Sequence, residues 1–201
     1  MLVRELREEL QKHFKEKFAG IETDFEKYIT NGLGFFPYGS GLMEIDKEEI
    51  PENGILILGQ DFGNVVYFEN IKENGEAEKH TMKNLQEVLS NEIKNKVFLS
   101  NVFMGLREKE FNNTEKFPGL LNVEYLRLCK TFLEIQIEII KPHLIITLGK
   151  IPQEFLEKNI NIRNQNIINI PHPSYLHLNI QNSLYKNISD IRNAIVLKFK
   201  P

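Results

Sequence analysis

One cysteine, Cys129, is the only thiol in the chain. Disulfides, thiolate-held zinc and cysteine-ligated iron–sulfur clusters each need several thiols, so all three are excluded together. A reducing, cytoplasmic setting is the expectation. Within Tyr125-Leu126-Arg127-Leu128-Cys129 the thiol reads as a small buried hydrophobe. Also missing is any stretch of the ~20 apolar residues that a membrane helix requires. The chain opens on Met1-Leu2-Val3-Arg4-Glu5, with acidic residues and no apolar block, so neither export nor membrane insertion is expected. There is no basic excess either. Lys and Arg number 25 against 28 Asp and Glu, for a formal charge of -3, and any hold on a phosphate-rich partner must come from a local patch or from backbone amides.

What is present describes a globular chain. Its 201 residues are 41% hydrophobic and 26% charged, enough to close a core between a sheet and two helix layers in one domain spanning 1–201. Leu2, Leu6, Leu10, Phe14 and Phe18 recur every fourth residue and predict an amphipathic helix ended by Gly20. From 31 to 53 the chain reads as a loop, rich in Gly and Pro around Phe35, Phe36 and Tyr38, and able to wall a pocket. Four short apolar runs follow, at 54–59, 97–101, 144–149 and 166–170. Each has the unbroken character of a strand covered on both faces. Helical segments are predicted over 82–94, 123–141 and 153–158, with a closing stripe of Leu184, Ile188, Ile191 and Ile195. Crossovers of this length suit parallel strands. The fold class is therefore α/β, a three-layer α/β/α sandwich around a central, mainly parallel four-stranded sheet.

In open parallel sheets ligands bind beyond the carboxyl ends of the strands. The residues at those ends are polar here: Gly59-Gln60-Asp61-Phe62-Gly63-Asn64 after the first run, Asn101 closing the second, Gly149-Lys150 after the third, and Pro171-His172-Pro173-Ser174-Tyr175-Leu176 after the fourth. An acid, an amide and an imidazole are thus expected on one rim. Taken singly, each has an ordinary structural use. Asp61 can cap the following segment, Asn101 can serve a turn, and His172 between prolines can stiffen a loop. Their convergence at strand ends is what favours a site.

Gly-Gln-Asp after the first strand, an Asn closing the second, and Pro-His-Pro-Ser-x-Leu after the last resemble the uracil-DNA glycosylase superfamily, closest to its family-one pattern, from about Ile55 to Leu176. The resemblance implies one glycosylase-like domain that hydrolyses the N-glycosidic bond of a nucleotide flipped out of DNA. It implies that Asp61 orients the attacking water and counters the oxocarbenium-like charge on the sugar, and that His172 donates to the departing base. Asn101 would read the base edge, Gln60 would lend a backbone amide, and Phe62, with Phe68 or Tyr67, would form the aromatic surroundings of the base. Pro173, Ser174 and Lys150 would grip phosphate, and Leu176 would fill the emptied stack. The partner is DNA, the expected state a monomer, and no metal or organic cofactor is required.

One element departs from the pattern. Family-one sequences continue the first motif with Pro, Tyr and His, where this chain has Phe62, Gly63 and Asn64. The tyrosine excludes the thymine methyl group, so Gly63 widens the expected substrates to modified or mismatched bases. Two other functions compete with the enzymatic one: a non-catalytic nucleic-acid or nucleotide-binding relative, and a hydrolase of small nucleosides or phosphoesters using the same Asp and His.

Overall fold

The computed structural model describes residues 1–15, 18–28, 34–44, 46–74, 79–109, 117–162, 165–175 and 185–200. The carboxyl-terminal three-quarters of the chain builds the main sheet. Strands β2 (Ile55–Gly59), β3 (Val97–Asn101), β5 (Leu144–Leu148) and β6 (Ile167–Ile170) lie in the order β3-β2-β5-β6. All three pairings are parallel, with Gly59 opposite Asn101 and Leu148 opposite Ile170. A second, two-stranded antiparallel ladder joins β1 (Ile21–Glu22) to β4 (Leu106–Arg107).

The apolar runs explain the layering. Successive side chains of a strand point to opposite faces, so Leu56, Leu58, Phe98 and Ile145 enter one core while Ile55, Ile57, Val97, Leu99 and Ile146 enter the other. Helices α1 (Val3–Gln11), α5 (Val123–Ile140) and α6 (Lys150–Asn159) cover the first face, and α3 (Lys79–Val88), α4 (Asn91–Lys94) and α7 (Ile188–Phe199) the second. For α3 to α6, which connect strands, right-handed crossovers account for this division: β2 to β3 runs one way across the sheet, β3 to β5 and β5 to β6 the other. A further helix, α2 (Val65–Asn74), packs Val65 and Phe68 against the first core.

Three expectations are corrected. The amino-terminal helix stops at Gln11, although Phe14 remains fully buried and Phe18 is bridged to Ile21. The stripe continues in burial after the backbone has left the helix, because tight turns also return a residue to the core. The segment 82–94 is two helices rather than one, broken at Leu89-Ser90, and α2 was not anticipated. Its apolar residues are too few to give a periodic stripe. Leu184 lies outside the described residues.

The aromatic loop seals the sheet. Phe36 bridges Ser100 and Leu42 bridges Phe98, so residues 36–42 cover the outer edge of β3 and remove an exposed edge strand. Arg7 on α1 holds this loop, donating to the carbonyls of Pro37 at 2.7 Å and Gly39 at 2.8 Å. Inside the first core, Ser100 Oγ donates to Gln136 Oε1 at 2.6 Å, both side chains fully buried. Replacing Ser100 with Ala strands that buried amide oxygen, and denaturant titration is expected to show a loss of about 1–3 kcal/mol. An unchanged midpoint would mean that Gln136 finds another donor.

Candidate active site

Parallel pairing in register brings the ends of β2, β3, β5 and β6 to one rim. The β2–β3 ladder runs one step beyond the strands: Val102 N–H donates to the Gly59 carbonyl at 3.0 Å and Phe103 N–H to that of Gln60 at 2.9 Å. Asn101, only 2% exposed, lies directly over Gly59. A Cβ at Gly59 would collide with Asn101 Oδ1 and sit 3.2 Å from Phe35 Cε1. A glycine here is what allows the amide and the Phe35 ring to close on the backbone.

Asp61 is held from several directions. Gly63 N–H donates to its Oδ1 at 2.7 Å and Gln60 Nε2 to its Oδ2 at 2.9 Å. Arg107 Nη2 stands 3.6 Å from Oδ1 in an ion pair whose side chains are 5% and 7% exposed. Burial pushes the carboxyl above the usual aspartate range, while the Arg107 charge, the Gly63 amide and the Gln60 amide oppose the shift. Gly63, whose N–H meets the carboxylate, takes φ 78, a left-handed conformation that a side chain would strain. Its place in the first motif therefore has a backbone reason in addition to the space it leaves.

His172 follows β6 and sits beside Gly149, whose added Cβ would be 3.7 Å from the His172 Cβ. Its Nδ1 is 2.7 Å from Ser174 Oγ and accepts the Ser174 backbone N–H at 3.3 Å. A backbone amide only donates, so Nδ1 is the acceptor and the ring proton of the neutral form resides on Nε2. Burial pushes the imidazole pKa below its usual value, favouring that neutral form. The loop is anchored by Asn84 of α3, which donates to the Pro173 carbonyl at 2.7 Å.

This arrangement has a pH consequence. The unfolded chain binds the His172 proton near pH ~6.5, whereas the folded protein binds it at lower pH. Stability is therefore lost as pH falls from about 6.5 through the folded pKa, and is unaffected by this group above that range. The melting-temperature difference between wild type and His172→Gln should be flat in alkali and shrink or reverse below pH ~6.5. A difference constant across that range would contradict the assigned shift.

The remaining expected residues are placed as follows. Phe62 is buried and meets Tyr38 edge-on with ring centroids 4.6 Å apart, and Phe68 contacts Tyr28 and Tyr38 at 5.4 and 5.2 Å. Both rings thus belong to the aromatic core. Tyr67, in the first turn of α2, is 40% exposed. Lys150 opens α6 with its side chain 84% exposed and 3.3 Å from Glu154. Pro173 is buried and Ser174 exposed, and Leu176 lies outside the described residues. Arg107, Phe35 and Asn84 were missed as site residues. Only Phe35 carried a signal, as part of the aromatic loop expected to wall a pocket.

The class is that of α/β proteins with a doubly covered parallel sheet, whose carboxyl rim here carries a clamped carboxylate, a buried amide and an imidazole. The family model of the uracil DNA glycosylase superfamily matches residues 48–195. The chain belongs to that superfamily, whose members are glycosylase-type hydrolases acting on DNA. The match extends the resemblance at both ends, taking in residues 48–54 before β2 and much of α7. Among curated proteins nothing matches significantly. No helix among the described residues is long and apolar enough to cross a membrane.

Proposed function

We propose that this protein removes uracil, or a related modified or mismatched base, from DNA by hydrolysing the bond between the base and C1′ of the sugar. The observation that carries the reading is the rim itself: strand register brings Asp61, Asn101 and His172 to the same end of one sheet.

Breaking the glycosidic bond develops positive charge on the sugar and negative charge on the leaving base, so a useful site supplies both signs of stabilisation. Asp61 provides the negative partner and orients the water that attacks C1′. His172 provides a donor, Nε2–H, to the base as it departs as an anion, and does so as a neutral imidazole without first transferring a proton. Support for that role comes from the Ser174 amide on Nδ1. The planar amide of Asn101 offers one donor and one acceptor, matching the O4 and N3–H edge of uracil.

Phe35 takes the place of Phe68 or Tyr67 as the aromatic neighbour of the base, since it is the ring found against Gly59 and Asn101. Gly63 carries no side chain toward the C5 substituent, which admits bases that a tyrosine would exclude. Ser174, Pro173, Lys150 and Leu176 form the proposed contact with the DNA strand. The chain acts as one domain, as a cytoplasmic monomer.

The test is release of free base from oligonucleotides containing uracil, hypoxanthine or a mismatch, at low salt and enzyme excess. Release at one of these bases is the expected outcome. Tight binding with every substrate left intact would overturn the reading in favour of a non-catalytic relative.

A further inference from the structure

We infer that Arg107 is the positioning residue for Asp61: it fixes the carboxylate in place, keeps it ionised inside the protein, and so sets the acid limit of the reaction. The inference rests on the catalytic reading of Asp61 above and extends it to a residue on a separate part of the fold.

The geometry is a clamp closed by one residue at two levels. Arg107 lies in β4, outside the main sheet, and its backbone N–H donates to the Gly63 carbonyl at 2.9 Å. Its guanidinium reaches Oδ1 of Asp61, the same oxygen that accepts the Gly63 N–H. The loop carrying the acid is thereby tied to β4 through both its backbone and its charge. Gln60 holds the other oxygen, so neither carboxylate oxygen can rotate away without breaking a contact.

Burial makes the charge of this partner decisive. At 5% and 7% exposure the pair is poorly screened by water, and removing the cation leaves burial opposed by the Gly63 and Gln60 hydrogen bonds without a counter-charge. The Tyr125 phenol on α5 feels the Asp61 charge and is itself buried, and that burial pushes its pKa up. It supplies no positive charge. Arg107 is therefore the charged partner that, together with the Gly63 and Gln60 N–H groups, favours the carboxylate.

The experiment follows Arg107→Met and Arg107→Lys through two readouts: the pH profile of base release, and titration of the Asp61 carboxyl by carbon-detected NMR. Loss of the cation is expected to move the acid limb, and the carboxyl titration with it, upward by about 1–3 pH units. Lysine, which keeps the charge but not the fork, should restore most of that shift. A merely structural Arg107 would lower the rate without moving either profile, and that result overturns the inference.

Should Arg107→Met fail to fold, the Asp61→Asn, Arg107→Met double variant supplies the answer. Its stability is expected to recover part of the loss, because the stranded carboxylate is gone; no recovery counts against the inference. If wild type releases no base from any substrate, the catalytic reading fails. The NMR titration then decides on its own whether Arg107 governs the Asp61 charge.

Discussion

Asp61→Asn is expected to lower single-turnover base release by about 10²–10⁴-fold, the range that a positioned general base contributes, while circular dichroism and DNA binding stay close to wild type. The substitution is nearly isosteric. The amide keeps a carbonyl oxygen to accept the Gly63 N–H, whose present distance to Oδ1 is 2.7 Å, so the left-handed turn at Gly63 is retained. What disappears is the negative charge. Without it the water loses its acceptor and the sugar loses its counter-charge in the same step. Arg107, buried beside this oxygen, is left facing a neutral group, and some loss of stability accompanies the change. Rates are therefore to be read well below the melting temperature of the variant. Activity within tenfold of wild type would remove Asp61 from the chemistry.

The second large effect is expected from a single methyl group. Gly59→Ala places a Cβ against Asn101 Oδ1 and 3.2 Å from Phe35 Cε1, in a strand whose partners on both sides are fixed by parallel ladders. The backbone cannot retreat, so the side chains must. Overpacking of this kind costs typically about 1–3 kcal/mol of stability, measurable by denaturant titration. The functional cost is separate. A displaced Asn101 loses its two contacts with the base edge, at about 0.5–1.5 kcal/mol each, which lowers kcat/KM by roughly fivefold to 150-fold. Discrimination between uracil and cytosine should fall with it. If Gly59→Ala is destabilised yet keeps full activity and selectivity, Asn101 does not read the base.

These two positions also show what could be read before folding. The four parallel strands were legible because each is an unbroken apolar run covered on both faces, and such runs have few alternative uses. Their carboxyl ends were legible for the same reason: where an apolar run stops at Gly59-Gln60-Asp61, at Asn101 and at Pro171-His172, polarity begins abruptly. Helices α2 and α4 were less legible. Apolar residues on α2 form no stripe, and the break at Leu89-Ser90, where Ser90 takes the extended N-cap conformation of α4, carries no proline or glycine to mark it. Gly63 was read only as an absence of tyrosine, because its positive φ belongs to the backbone.

The sequence by itself determined the layers and which residues end the strands, since hydrophobic periodicity and strand punctuation are local properties of the chain. Tertiary structure alone decided which groups surround those ends. Arg107 reaches Asp61 across 46 positions of sequence, and Asn84 reaches the Pro173 carbonyl across 89. Nothing local marks an arginine as the counter-charge of a particular acid. That pairing arises when β4 is laid beside the Gly63 turn and water is excluded from both, because only then does one unscreened charge require the other.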